Sequence, residues 1–138
     1  MIERWNAVVR LEEEVWHLGD FAVRQSTDRV ASLLSRLNGR KHLVSGNNND
    51  DAITSCSGWQ SVQSYAELVI DGLRLVPCHY PLRTWRDMGK GAINLHGHSH
   101  GRLKPLPRQH GEHQDPLCGR RRKLQAVFPL LAAATIRG

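Results

Sequence analysis

The chain has 138 residues, of which 40% are apolar and 23% charged, and a formal net charge of +6. That is one domain with enough apolar material to bury a core. No stretch is long enough to span a bilayer: the longest apolar run, Val127 to Ile136, is about half of the roughly 20 residues needed. Three cysteines (Cys56, Cys78, Cys118), odd in number and without CxxC spacing, argue against a disulfide scaffold and lead us to expect a reducing cytoplasm.

In chain order, residues 2–9 read as a helix with Ile2, Trp5, Val8 and Val9 on one side, too polar for a signal peptide. Glu14 to Leu18 reads as a strand that delivers Asp20 just past its end. Ser26 or Thr27 caps a second helix, whose apolar residues Val30, Leu33, Leu34 and Leu37 follow i, i+3, i+4, i+7 spacing until Asn38-Gly39 stops it. His42 to Val44 is the next strand and ends at Gly46-Asn47. Ser61 to Ile70 and Leu73 to Cys78 form a hairpin around Asp71-Gly72, which suits a type I′ turn, and the hairpin releases His79. Ala92 to Leu95 is a short strand leading into His96-Gly97-His98-Ser99-His100. The order predicts an α/β layered domain with its site at one sheet edge.

Gly19-Asp20, Gly46-Asn47, His79 and the His-rich loop share one position: each follows a strand. Loops at one end of a sheet bring side chains from separate strands together. Asp, Asn and neutral His make an N/O ligand set for a divalent cation such as Mn, Fe or Zn. His96 is expected not to be a ligand and His17 to pack or support the site, while Trp16, Trp59 and Trp85 read as core or pocket wall. Arg83, four residues past His79, is a candidate for contacting a substrate phosphate through its forked guanidinium.

The ordered series G-D, G-N, lone H and G-H-x-H resembles the calcineurin-like metallophosphoesterase superfamily. Val15-Trp16-His17-Leu18-Gly19-Asp20-Phe21, Asn38-Gly39-Arg40-Lys41 and Cys78-His79-Tyr80-Pro81-Leu82-Arg83-Thr84-Trp85 resemble its small bacterial branch. The resemblance runs from about residue 2 to about residue 108. It implies a layered β-sandwich flanked by helices, and a hydrolase that attacks a phosphomonoester or phosphodiester with a metal-activated hydroxide. It also implies two metals: Asp20 bridging, Asn47, His79 and His98 on the second, and His100 on the first. Two ions together acidify a water and hold both reacting oxygens.

Three departures accompany that resemblance. No Asp in the chain has a His two places on, so the family's first-strand D-x-H is missing and the fold is expected to be incomplete at its N-terminus. The first metal then keeps only Asp20 and His100, and one tightly bound cation is expected. Asn48 stands where the family has a general-acid His, and an amide cannot protonate a leaving alkoxide. The acid that normally follows is displaced to Asp50. Beyond residue 108 the chain departs from the family, so residues 1–108 are expected to form the phosphoesterase-like domain. Residues 109–138 are then a basic tail, poorly ordered or loosely helical. Most of the basic excess lies there: residues 1–107 hold 13 Lys/Arg against 11 Asp/Glu, and residues 108–138 hold six against two. Two other readings stay open. One is a weak or inactive single-metal relic of the fold; the other is nucleic-acid binding through Arg120-Arg121-Arg122-Lys123.

Overall fold

A computed structural model of the chain describes residues 2–70, 72–99, 102–104, 106–110 and 124–126, with backbone alone for His110 and 124–126. The fold is mixed α/β, with two small sheets and few helices. Helix α1 (Ile2–Val8) precedes β1 (Glu14–Leu18), α2 (Thr27–Arg36) and β2 (Arg40–Val44). A single turn, α3 (Asp51–Thr54), leads to β3 (Ser61–Gln63), β4 (Leu68–Ile70) and β5 (Leu73–Cys78). A 3-10 turn at Met88–Lys90 precedes β6 (Ile93–His96), β7 (Gln109–His110) and β8 (Leu124–Ala126). One sheet runs β3-β2-β1-β8 and the other β4-β5-β6-β7.

The period-2 alternation of each central strand sends residues to two cores. Val15 and Leu43 point to one face of the first sheet and meet Trp5, Val30 and Leu34 from the helices. Trp16 and Val44 point to the other face, where Leu75 and Leu95 of the second sheet meet them. Each buried Val or Leu contributes about 1.5–3 kcal/mol relative to exposure. The helices cover only the first sheet. The outer face of the second is closed by the loop after β5, with Trp85, Leu82 and Met88 packed on Val76 and Ala92. That loop lacks 3.6-residue periodicity, and Trp85 anchors it by donating Nε1–H to the Ala92 carbonyl at 2.9 Å.

Helix α2 starts where the sequence places it. Ser26 caps it by accepting from the Arg29 amide at 3.4 Å, with Asp28 in the first turn and Arg36 in the last. Gly39 ends the corner with φ +87°, and a Cβ there would lie 2.8 Å from the Glu13 carbonyl oxygen. Trp5 Nε1 donates to the Asn38 carbonyl at 2.9 Å, which locks α1 onto this corner.

Two expectations change. The predicted strand Ser61–Ile70 is two strands in different sheets. Ser61–Gln63 runs parallel to β2, helped by a 2.7 Å contact between Ser61 Oγ and His42 Nδ1, while Leu68–Ile70 makes the hairpin with β5, extended by an isolated antiparallel bridge from Tyr65 to Cys78. The chain crosses between sheets at 64–67, and Asp71 of the expected turn lies outside the described residues. The second change concerns the tail. Gln109–His110 pairs in parallel with β6, and Leu124–Ala126 pairs in parallel with β1, so this part of the tail is strand rather than helix. An open edge on β1 carries unpaired amides and carbonyls, and a short run able to extend satisfies them. Among the described residues no helix is long and apolar enough to cross a membrane.

Candidate metal centre

β1 and β2 run parallel, as do β5 and β6, so each pair presents its C-terminal ends together. Asp20 follows β1, Asn47 follows β2, His79 follows β5 and His98 follows β6, giving the cluster two side chains from each sheet. His79 Nε2 lies 3.0 Å from Asn47 Oδ1, 3.2 Å from His98 Nδ1 and 3.7 Å from Asp20 Oδ2. His98 Nδ1 is 3.0 Å from Asn47 Oδ1. Ligands 2.0–2.2 Å from one cation stand about 3.0 Å apart at right angles and about 3.5 Å apart at tetrahedral angles. The observed separations fall on that scale.

His79 Nδ1 faces the Leu18 carbonyl at 3.0 Å, and a carbonyl can only accept, so the ring proton sits on Nδ1. In the tautomer with its proton on Nδ1, the ring presents a lone pair on Nε2 to the cluster. Asn47 presents its carboxamide oxygen to both rings, and Asp20 adds a carboxylate oxygen. His98 can bring at most one proton for three acceptors. A divalent cation fits this donor set, because it accepts all four lone pairs at once. Among the described residues no three His, Cys, Asp or Glu side chains alone make a cation-binding group. The Asn47 oxygen, which lies between the two imidazoles, completes the convergence.

The local backbone is built around close approach. Gly19 has φ +84°, and a Cβ on it would lie 2.0 Å from His79 Nδ1. A Cβ on Gly46 would lie 2.5 Å from Asp20 Oδ1. Gly19 thus lets His79 approach the Asp20 loop, and Gly46 lets the loops carrying Asp20 and Asn47 close on each other. Asp20 (φ 47°) and His98 (φ 64°) are themselves left-handed, a conformation that costs non-glycine residues energy and recurs at functional sites. His79 is buried, while Asn47 and His98 are exposed, so solvent reaches one side of the cluster.

The three asparagines of the second loop do three jobs. Asn47 faces the cluster. Asn48 holds the Asp20 carboxylate from outside: its backbone amide donates to Oδ1 and its side-chain amide to Oδ2, both at 3.1 Å. Asn49 Oδ1 accepts from the Asp20 amide at 2.9 Å and the Gly46 amide at 2.8 Å, stapling the two loops. The sequence reading missed Asn49 and treated it only as displacing an acid. A side chain three residues past Gly46, able to accept from two loop amides, was the available signal. Asp50 instead caps α3 by accepting from the Ile53 amide at 3.3 Å.

Of the remaining candidates, His100 and the basic run 120–123 lie outside the described residues. Arg83 is exposed and makes no hydrogen bond or ion pair among the described residues, so nothing ties it to the cluster. His96 is buried beside the cluster's loop, with Nδ1 donating to the Gly97 carbonyl at 3.0 Å, and takes no part in the convergence. His17 packs edge-on against Phe21. Burial pushes its pKa down to about 4, against the opposing pull of the Asp20 carboxylate. Trp16, Trp59 and Trp85 are all buried. A cavity of about 240 Å³ opens elsewhere, beside Glu67, Arg74, Arg86 and Asp87, where the charges pair among themselves. It shares no lining residue with the cluster.

No family model matches the chain, and no curated protein matches it. Among solved structures it is similar to a protein of unknown function, AQ665, from Aquifex aeolicus. The likeness has a TM-score of 0.56 and covers 91% of this chain and 72% of that one, at 21% sequence identity. At that identity the likeness concerns the fold alone.

Proposed function

We propose that the chain is a metal-dependent phosphoesterase of the calcineurin-like metallophosphoesterase type, binding one divalent cation tightly through Asp20, Asn47, His79 and His98. The observation that carries this reading is the meeting of one carboxylate, one carboxamide oxygen and two imidazole nitrogens, with contacts of 3.0–3.7 Å among them. Two sheets sharing a core, with the donors on the loops after their parallel strands, support the family's layering for the fold. Mn, Fe and Zn all suit the donor types. A second cation would rest on Asp20 and His100.

When bound, the cation supplies Lewis acidity toward a phosphoryl oxygen and toward water. The chain's own residues do the rest. Asp20 brings the negative charge, and Asn48 fixes the rotamer of its carboxylate. The Leu18 carbonyl holds His79 in the tautomer whose Nε2 is free to donate a lone pair. Asn47 adds a neutral oxygen, which leaves more net positive charge at the centre than a second carboxylate would. None of these groups gives up a proton to a departing alkoxide, and Asn48 is committed to Asp20.

The test is metal content with turnover. The chain loaded with Mn or Zn and then dialysed should retain about one equivalent and hydrolyse bis(4-nitrophenyl) phosphate, and Asp20→Ala should abolish both. No retained metal would sink the site. Retained metal without turnover would leave the single-metal relic reading in its place.

A further inference from the structure

Tyr80 follows His79 directly and has no part in the donor set, yet it touches it. Its ring centroid lies 5.0 Å from that of His79 and 4.8 Å from that of His98, with interplanar angles of 72° and 61°. Both imidazoles therefore meet the phenol ring steeply, and neither stacks flat on it. The residue remains 44% exposed, unlike His79 at 2%. Its ring therefore leaves a flat apolar surface open beside an otherwise polar cluster.

The platform beneath it is rigid. Leu82, two residues on, donates its amide to Asn94 Oδ1 at 3.2 Å, and its carbonyl accepts from Gln109 Nε2. Trp85 is buried and anchored through its indole N–H. Anchoring of the segment after Tyr80 reduces the backbone freedom that would be lost when something flat is laid against its ring.

A second, independent observation points the same way. Among the described residues the position beside Asp20 is held by Asn48, an amide already bonded to the Asp20 carboxylate and unable to protonate a leaving alkoxide. Without a general acid, cleavage is fastest for leaving groups that are stable as anions, and aryl oxides are far more stable than alkoxides. Flatness and acidity belong to the same chemical class.

We infer that the substrate is a phosphate ester whose leaving group is an aromatic hydroxyl compound, with Tyr80 as the wall against which its ring lies. This rests on the metal-centre reading proposed above. Phosphoryl oxygens face the cluster, the ester oxygen leaves toward the open side, and the aryl ring covers the exposed part of Tyr80. Hydrolysis breaks the bond from phosphorus to the aryl oxygen, water supplies the new oxygen, and the aryl oxide takes its proton from solvent.

The test uses non-hydrolysable probes on the metal-loaded chain: phenylphosphonate, methylphosphonate and inorganic phosphate, each titrated by calorimetry into wild type, Tyr80→Phe and Tyr80→Leu. Phenylphosphonate should bind wild type and Tyr80→Phe about three- to tenfold more tightly than methylphosphonate, the range expected for one aromatic pair. Tyr80→Leu should lose that preference while keeping its affinity for phosphate and for the metal. Equal binding of the two phosphonates, or a preference that survives Tyr80→Leu, overturns the aromatic inference alone. Failure of all three probes to bind a metal-loaded chain would instead overturn the phosphoesterase reading on which it stands.

Discussion

Two polar clusters sit at opposite ends of the same argument. Around Asn94 every donor meets an acceptor. Its Oδ1 takes the Leu82 amide at 3.2 Å and Gln109 Nε2 at 2.9 Å, and its Nδ2 gives to the Val76 carbonyl at 2.9 Å. Gln109 Oε1 takes the Leu106 amide at 3.2 Å. Around His79, by contrast, two imidazoles, a carboxamide oxygen and a carboxylate converge across similar distances. The first cluster is complete as folded, with Asn94 and Gln109 at 0% and 3% exposure. The second is the arrangement that the proposed cation would complete.

The largest expected effect separates the two clusters by substitution. Asp20→Asn removes the charge from the second while keeping its shape. Its divalent-metal affinity should fall at least 100-fold, roughly 2.7 kcal/mol, with metal-free stability within about 1 kcal/mol of wild type. Asn94→Leu should do the reverse. It strands the Leu82 amide and costs about 2 kcal/mol of stability, with metal affinity unchanged within about threefold. Competitive chelator titration and urea unfolding on both variants measure all four quantities. Similar losses in both columns would show that the clusters are not different in kind.

His17 lies between these extremes, buried with Nδ1 unpartnered. Its pKa falls from 6.5 to about 4 on folding, chiefly through burial. Between those values the unfolded chain binds more protons than the folded one, so stability rises with pH across that window. It is fully present above pH 6.5 and drains away as pH falls toward 4, by as much as about 3 kcal/mol. Unfolding of the metal-free chain at pH 7, 6, 5 and 4 should show this slope, and His17→Leu should flatten it. An unchanged slope in the variant would move the acid sensitivity to other groups, His42 first, since burial lowers its pKa too.

The sequence made the converging residues readable for a physical reason. Gly19-Asp20, Gly46-Asn47, His79 and His98 each follow a run that can only be strand, and parallel strands put such loops at one end. What stayed hidden lacks a local signature. Ser61 to Ile70 contains no Gly or Pro to mark a break, so the change of sheet at 64–67 has no turn signal of its own. Leu124–Ala126 pairs with a strand more than 100 positions earlier, which no short window can register. Four residues of α3 are too few to show a period. Asn49 resembles any turn asparagine until its two amide partners are seen, one of them 29 positions away.

Asn49 also provides the smallest and most discriminating test. Its Oδ1 is the only atom shown to bond both the Asp20 amide and the Gly46 amide among the described residues, and its Nδ2 reaches the Phe21 carbonyl at 3.4 Å. It touches none of the four cluster atoms, so it acts on the metal centre only by holding two loops in register. Asn49→Ala should therefore loosen the placement of Asp20 against Asn47 and lower metal affinity about tenfold, the lower end for a residue supporting a ligand. Asn49→Asp keeps both acceptor contacts and should stay within about threefold of wild type. Its added charge lies behind the cluster, and the loss of the long Phe21 bond is minor. The contrast separates loop register from mere presence of a polar side chain, because Ala and Asp are both unlike Asn yet only one keeps the staple. Equal affinities for the two variants would mean that Gly19 and Gly46 alone hold the loops together.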